Sequence, residues 1–134
     1  MNKLQSRISA ALLVLFILII VFHTLVLAKL IPSEIVWGGK LESTQNLQVF
    51  EVVSLLLNGV FSIVLVFYRR RHVGTKIPVA LRISLWVMFG LFTLNTVGNL
   101  LAETLFEQLV FTPLTALVAI GLWILLKKQQ VPAR

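Results

Sequence analysis

The chain has 134 residues, a formal charge of +7 and a mean hydropathy of +0.97. Hydrophobic residues make up 58% of it and charged residues only 13%, about half the charged share of a soluble domain, so lipid and not water is the solvent such a surface suits. Cysteine is absent, which excludes disulfides, thiol redox chemistry and thiolate metal sites. The positive charge does not point to nucleic acid, because it sits in short clusters flanking apolar runs instead of along one face.

The first apolar run extends from about Ile8 to Leu30. Lys3 and Arg7 ahead of it, with Val26-Leu27-Ala28 near its end, are what a cleavable signal peptide would show. The run is nevertheless longer than the roughly 7 to 15 apolar residues of a signal core, so an anchoring helix is the expectation. A connection from Ile31 to Asn46 follows, in which Trp37 suits the headgroup layer and Gly38-Gly39 a tight turn. The second run, Leu47 to Tyr68, carries Glu51, Ser54, Asn58 and Ser62 within about 80° of helical arc. Arg69 to Pro78 connects it to the third run, Val79 to Ala102, where Asn95, Asn99 and Glu103 fall at i, i+4 and i+8. There Gly98 and Ala102 form a small-x-x-x-small pair of the kind that lets helices approach closely. After Glu103 to Gln108, the fourth run spans Leu109 to Leu126, with Gln108, Thr112, Thr115, Ala116 and Ala119 sharing a face. Pro113 either opens this helix or kinks a longer one.

Each run is about the 18 to 25 residues that a helix needs to cross a bilayer, and only a helix satisfies its own backbone in lipid at that length. The connections are short, so the expected fold is all-α: a single domain, residues 1–134, in which four transmembrane helices form an antiparallel bundle. Of the twelve Lys and Arg, only Lys29 and Lys40 fall on one side of the membrane in that arrangement. The positive-inside rule then places both termini and the second connection in the cytoplasm of a multi-pass cell-membrane protein. Arg69-Arg70-Arg71 reads as the stop-transfer signal.

With that orientation the polar residues of all four helices share the extracytoplasmic half, while the cytoplasmic half is aliphatic and aromatic. Polar groups cost free energy in lipid and turn toward a bundle interior. The candidate ligand-binding residues are therefore His23, Glu51, Asn58, Asn95, Asn99 and Glu103, with His23 placed to hydrogen-bond either Glu51 or an Asn. The competing explanation of the Asn, Ser and Thr stripes is interhelical hydrogen bonding alone.

Ile35-Val36-Trp37-Gly38-Gly39-Lys40-Leu41, Val49-Phe50-Glu51, Asn95-Thr96-Val97-Gly98-Asn99 and Phe111-Thr112-Pro113-Leu114-Thr115 resemble stretches of small uncharacterised four-helix bacterial integral membrane proteins. That resemblance implies a fold and a membrane location and no activity. The first expectation for function is a pocket for a small polar or cationic ligand, or a lipid headgroup, with the bilayer itself as partner and a homodimer needed for any transport. The alternative is a structural or accessory subunit of a larger membrane complex with no ligand of its own. No HExxH spacing, nucleophile–base pair or Gly-rich phosphate loop is present, so neither an enzyme nor a cofactor is expected.

Overall fold

The computed structural model describes residues 3–32, 44–71 and 76–127. They form four helices long and apolar enough to cross a membrane. α1 is Lys3–Leu27, α2 Thr44–Arg69, α3 Val79–Leu100 and α4 Thr112–Lys127, the last preceded by a π-helical segment, Glu107–Phe111. The Trp37-Gly38-Gly39 turn and His72 lie outside the described residues.

The bounds differ from those of the apolar runs, for local reasons. α1 stops at Leu27 because Lys29 takes a left-handed conformation, φ 59°, and the backbone closes on itself. The Lys29 N–H donates to the Val26 carbonyl at 2.9 Å and the Leu30 N–H to the Leu25 carbonyl at 2.9 Å. This pair of bonds is a Schellman cap, and Pro32 beyond it cannot resume a helix. At its other end α1 begins five residues ahead of the apolar run, and Gln5 and Ser9 are buried there. Arg69 Nη1 donates to the Ser6 carbonyl at 2.8 Å and to Ser9 Oγ at 3.1 Å. The residue read as a topology signal therefore also ties α2 to α1.

The helices pair as two hairpins, α1 with α2 and α3 with α4, and the α2–α3 seam is far sparser than either. The hydrophobic core fills one half of the bundle only, at the end where α1 and α3 begin and α2 and α4 finish. Phe16, Leu65, Leu85, Val118, Leu122 and Leu125 are fully buried there. Phe16, Phe61 and Phe92 close the top of this core as a triangle, with ring centroids 5.4 to 6.0 Å apart. Trp86 and Trp123, in edge-on contact at 5.9 Å, sit half-exposed on the same half, with the Lys127 ammonium 5.3 Å from the Trp123 ring. That is the arrangement of an interfacial aromatic anchor. In the opposite half the burial pattern inverts. Glu51, Asn58, Glu107 and Thr115 are buried, while the leucines and valines around them are mostly exposed, as a surface facing hydrocarbon requires.

Close helix approach does not occur at Gly98, where an added Cβ would meet nothing within 4 Å. It occurs at Gly121 of α4, where a Cβ would stand 3.1 Å from a methyl of Leu12 in α1. Gly121→Leu should therefore lower stability by about 1 to 3 kcal/mol through overpacking, whereas Gly98→Leu should leave it nearly unchanged. Thermal unfolding of both variants in nanodiscs checks the contrast, and equal losses would contradict the packing described.

Candidate functional site

The polar half is organised around one short contact. His23, in the last turns of α1, and Glu51, two turns into α2, face each other across the antiparallel hairpin, with His23 Nδ1 2.7 Å from Glu51 Oε2. The Glu51 side chain is wholly buried and that of His23 is 17% exposed. In lipid a lone carboxylate would be costly. The imidazole beside it supplies a hydrogen-bonding partner at 2.7 Å, so the carboxyl group is not left alone there.

The fourth helix contributes through its first turn. Thr104 caps it: the Glu107 N–H donates to Thr104 Oγ1 at 3.3 Å, and the Thr104 hydroxyl donates to Glu107 Oε2 at 2.6 Å. This is the Thr-x-x-Glu pairing of a helix N-terminus, and it turns Glu107 into the bundle, where it is 4% exposed. Gln108 Nε2 donates to the Ala102 carbonyl at 2.7 Å and closes the turn between α3 and α4. Pro113 then neither starts nor breaks the helix. It lacks an N–H and its ring would crowd the carbonyl four residues back, and the π-helical widening over Glu107–Phe111 accommodates it. The Thr112 N–H reaches back to the Glu107 carbonyl, one residue further than in an α-helix.

These elements enclose a cavity of about 620 Å³. Its floor is formed by Phe61 and Phe92, two members of the aromatic triangle above the core, and one wall carries Phe22 and Phe111, whose rings meet edge to face at 5.3 Å. His23, Asn58, Asn95, Asn99, Glu107 and Thr115 supply most of the polar lining. Thr115 Oγ1 accepts from Asn99 Nδ2 at 3.4 Å and lies 3.0 Å from Thr96 Oγ1, so these groups hold α3 to α4. Asn58 is different. Its Nδ2 donates to the Ser54 carbonyl at 2.8 Å, which fixes the orientation of the amide. Its Oδ1 is buried, with no hydrogen-bond partner among the described residues. Burying an acceptor unpaired costs about 1 to 3 kcal/mol.

Of the six residues that the sequence singles out, His23, Asn58, Asn95 and Asn99 line the cavity, and Glu51 stands behind His23 as its partner. Glu103 does not join them. Its place in the stripe required α3 to continue, but the backbone closes at Leu101 and Ala102, whose N–H groups donate to the Val97 carbonyl at 3.1 Å and the Asn99 carbonyl at 3.3 Å, and Glu103 falls exposed in the following turn. The acid in the cavity is Glu107, whose signal was the Thr104-x-x-Glu107 cap ahead of an apolar run. Among the described residues no three of His, Cys, Asp and Glu gather so as to hold a metal ion.

No protein-family model, curated protein or solved structure matches the chain. The chemistry of the site must therefore be read from its own side chains.

Removing one member of a buried ionisable pair strands the other, a loss of about 3 to 5 kcal/mol, while replacing both with apolar side chains is often near neutral. His23→Leu and Glu51→Leu should each destabilise the bundle strongly, and the double variant should recover most of the loss. A double-mutant cycle on thermal unfolding in nanodiscs measures the coupling. Additive losses would mean that the two side chains do not act as a pair.

Proposed function

We propose that this is an integral membrane binding module, in which the cavity of the polar half receives a small ligand presenting hydrogen-bond donors or a positive charge. The observation that carries the reading is Asn58 Oδ1, a buried acceptor of a cavity-lining residue with no hydrogen-bond partner among the described residues. Natural interiors rarely leave such an atom unpaired, and a partner that comes and goes is a physical reason to do so. Charge supports the same polarity of ligand. Among the described residues the lining contains no Lys or Arg, and Glu107 supplies an acid.

The distribution of basic residues supports an orientation with both termini and the second connection in the cytoplasm. The cavity then belongs to the extracytoplasmic half. Single cysteines introduced into this cysteine-free chain test that directly: Gly38→Cys should react with an impermeant maleimide on intact cells and Gly74→Cys only after lysis. The reverse pattern would put the cavity on the cytoplasmic side.

Binding is tested by thermal unfolding in nanodiscs with a panel of primary amines, quaternary ammonium compounds and matched carboxylates. A ligand held at about a hundred times its dissociation constant stabilises by roughly 2.7 kcal/mol, a shift of several degrees. Amines or ammonium compounds should produce it and carboxylates should not, and Glu107→Gln together with Asn58→Leu should abolish it. No shift with any member of the panel would contradict the binding reading.

A further inference from the structure

The cavity is not closed on all sides. Leu57, Leu91 and Leu94 line it, yet they are 43%, 41% and 70% exposed. Asn95, one turn beyond Leu91 on α3, also lines it and is also exposed. Residues that belong both to a cavity wall and to the outer surface mark an opening; apart from Leu18 of α1, 58% exposed, these lie on α2 and α3, the helices of the sparse seam. The cause is visible in the sequence: α2 and α3 approach each other where Phe61 meets Phe92, and beyond that point α3 offers Gly98, with empty space where a side chain would be. The opening therefore faces sideways, toward what would be hydrocarbon around a membrane-spanning bundle. There an exposed Asn95 amide is costly unless a polar group meets it.

Resting on the binding reading above, we infer that the occupant is an amphiphile dissolved in the bilayer, with an amine or ammonium head and a single alkyl chain, which enters between α2 and α3. Its head fits the end of the cavity holding Asn58 Oδ1 and Glu107, one an unpaired acceptor and the other an acid. Its chain fits the apolar remainder and leaves through the gap bounded by Leu57, Leu91 and Leu94. A water-soluble cation would satisfy the head groups but would leave the apolar lining and the sideways opening without use. An anionic lipid would set its charge against Glu107, with no Lys or Arg among the described lining residues to offset it.

The test uses dodecylamine carrying a photoreactive diazirine on its chain, incorporated into phosphatidylcholine nanodiscs with the full-length protein and mapped by peptide mass spectrometry. Labelling should concentrate on the peptides containing Leu57 and Leu91 to Leu94, and unlabelled dodecylamine should compete for it. Ethylamine and dodecanoate should compete poorly at equal concentration in the bilayer. Asn58→Leu should weaken competition about tenfold, as expected for one hydrogen bond to a charged group. The same variant should raise the melting temperature of the empty protein, since it removes an orphaned acceptor. That combination separates a ligand contact from a merely structural one. Gly98→Phe, placed where the backbone has room, should abolish labelling without lowering stability. If ethylamine competes as well as dodecylamine, the amphiphile and its sideways entry are overturned while the binding reading stands. If dodecanoate competes equally, the charge assignment is overturned. Labelling spread evenly over exposed leucines and insensitive to competitor overturns the inference entirely, and the aqueous panel then decides the binding reading by itself.

Discussion

A helix in hydrocarbon settles its own backbone hydrogen bonds but not its polar side chains, and each of those must find a partner inside the bundle. That constraint shapes this protein more than apolar packing does. α1 and α2 are bound by polar contacts at both ends, Arg69 to Ser6 and Ser9 at one and His23 to Glu51 at the other. Between these two contacts the register is fixed, and Phe16 and Phe61 meet halfway along. α3 and α4 are joined by the same means, through Thr96, Asn99 and Thr115. Two firmly tied hairpins result, sharing a core in one half and separating in the other.

The separation follows from composition along the helices. In the half where the core lies, leucine, phenylalanine and methionine interdigitate, and Gly121 admits Leu12. In the other half the inward positions are held by short amides, hydroxyls and acids, which bond locally and fill little volume. Space remains among them, lined by phenylalanine and leucine as well as by the polar groups. A cavity there is thus the consequence of using polar residues as connectors, and Oδ1 of Asn58, a residue on its wall, has no partner among the described residues.

Much of the architecture was legible in the sequence, because the signals were long. Four apolar runs of spanning length gave four helices, and the stripes in α2 and α3 put Asn58, Asn95 and Asn99 on one cavity. Depth put His23 and Glu51 at one level but left open whether His23 pairs with Glu51 or with an Asn, which the structure decides for Glu51. What the sequence obscured were events of one or two residues. A left-handed Lys29 shortened α1, the early closure at Leu101 removed Glu103 from its stripe, and the Thr104 cap turned Glu107 inward instead. Gly98 and Gly121 show a further limit. Both are small residues in apolar helices, and only the arrangement of neighbouring chains decides which one admits a partner. The sparse α2–α3 seam had no local signal, since it reflects which hairpins form and not any residue's preference.

The central claim is that the polar half is held open and that its unpaired acceptor exists for a partner outside the chain. An electron-density map of the protein, purified from its native membrane with no ligand added, tests this most directly. The account predicts α2 and α3 apart beyond Phe61 and Phe92, with density in the cavity at hydrogen-bonding distance from Asn58 Oδ1. A map with the two helices packed together and Asn58 Oδ1 accepting from a protein group would contradict it.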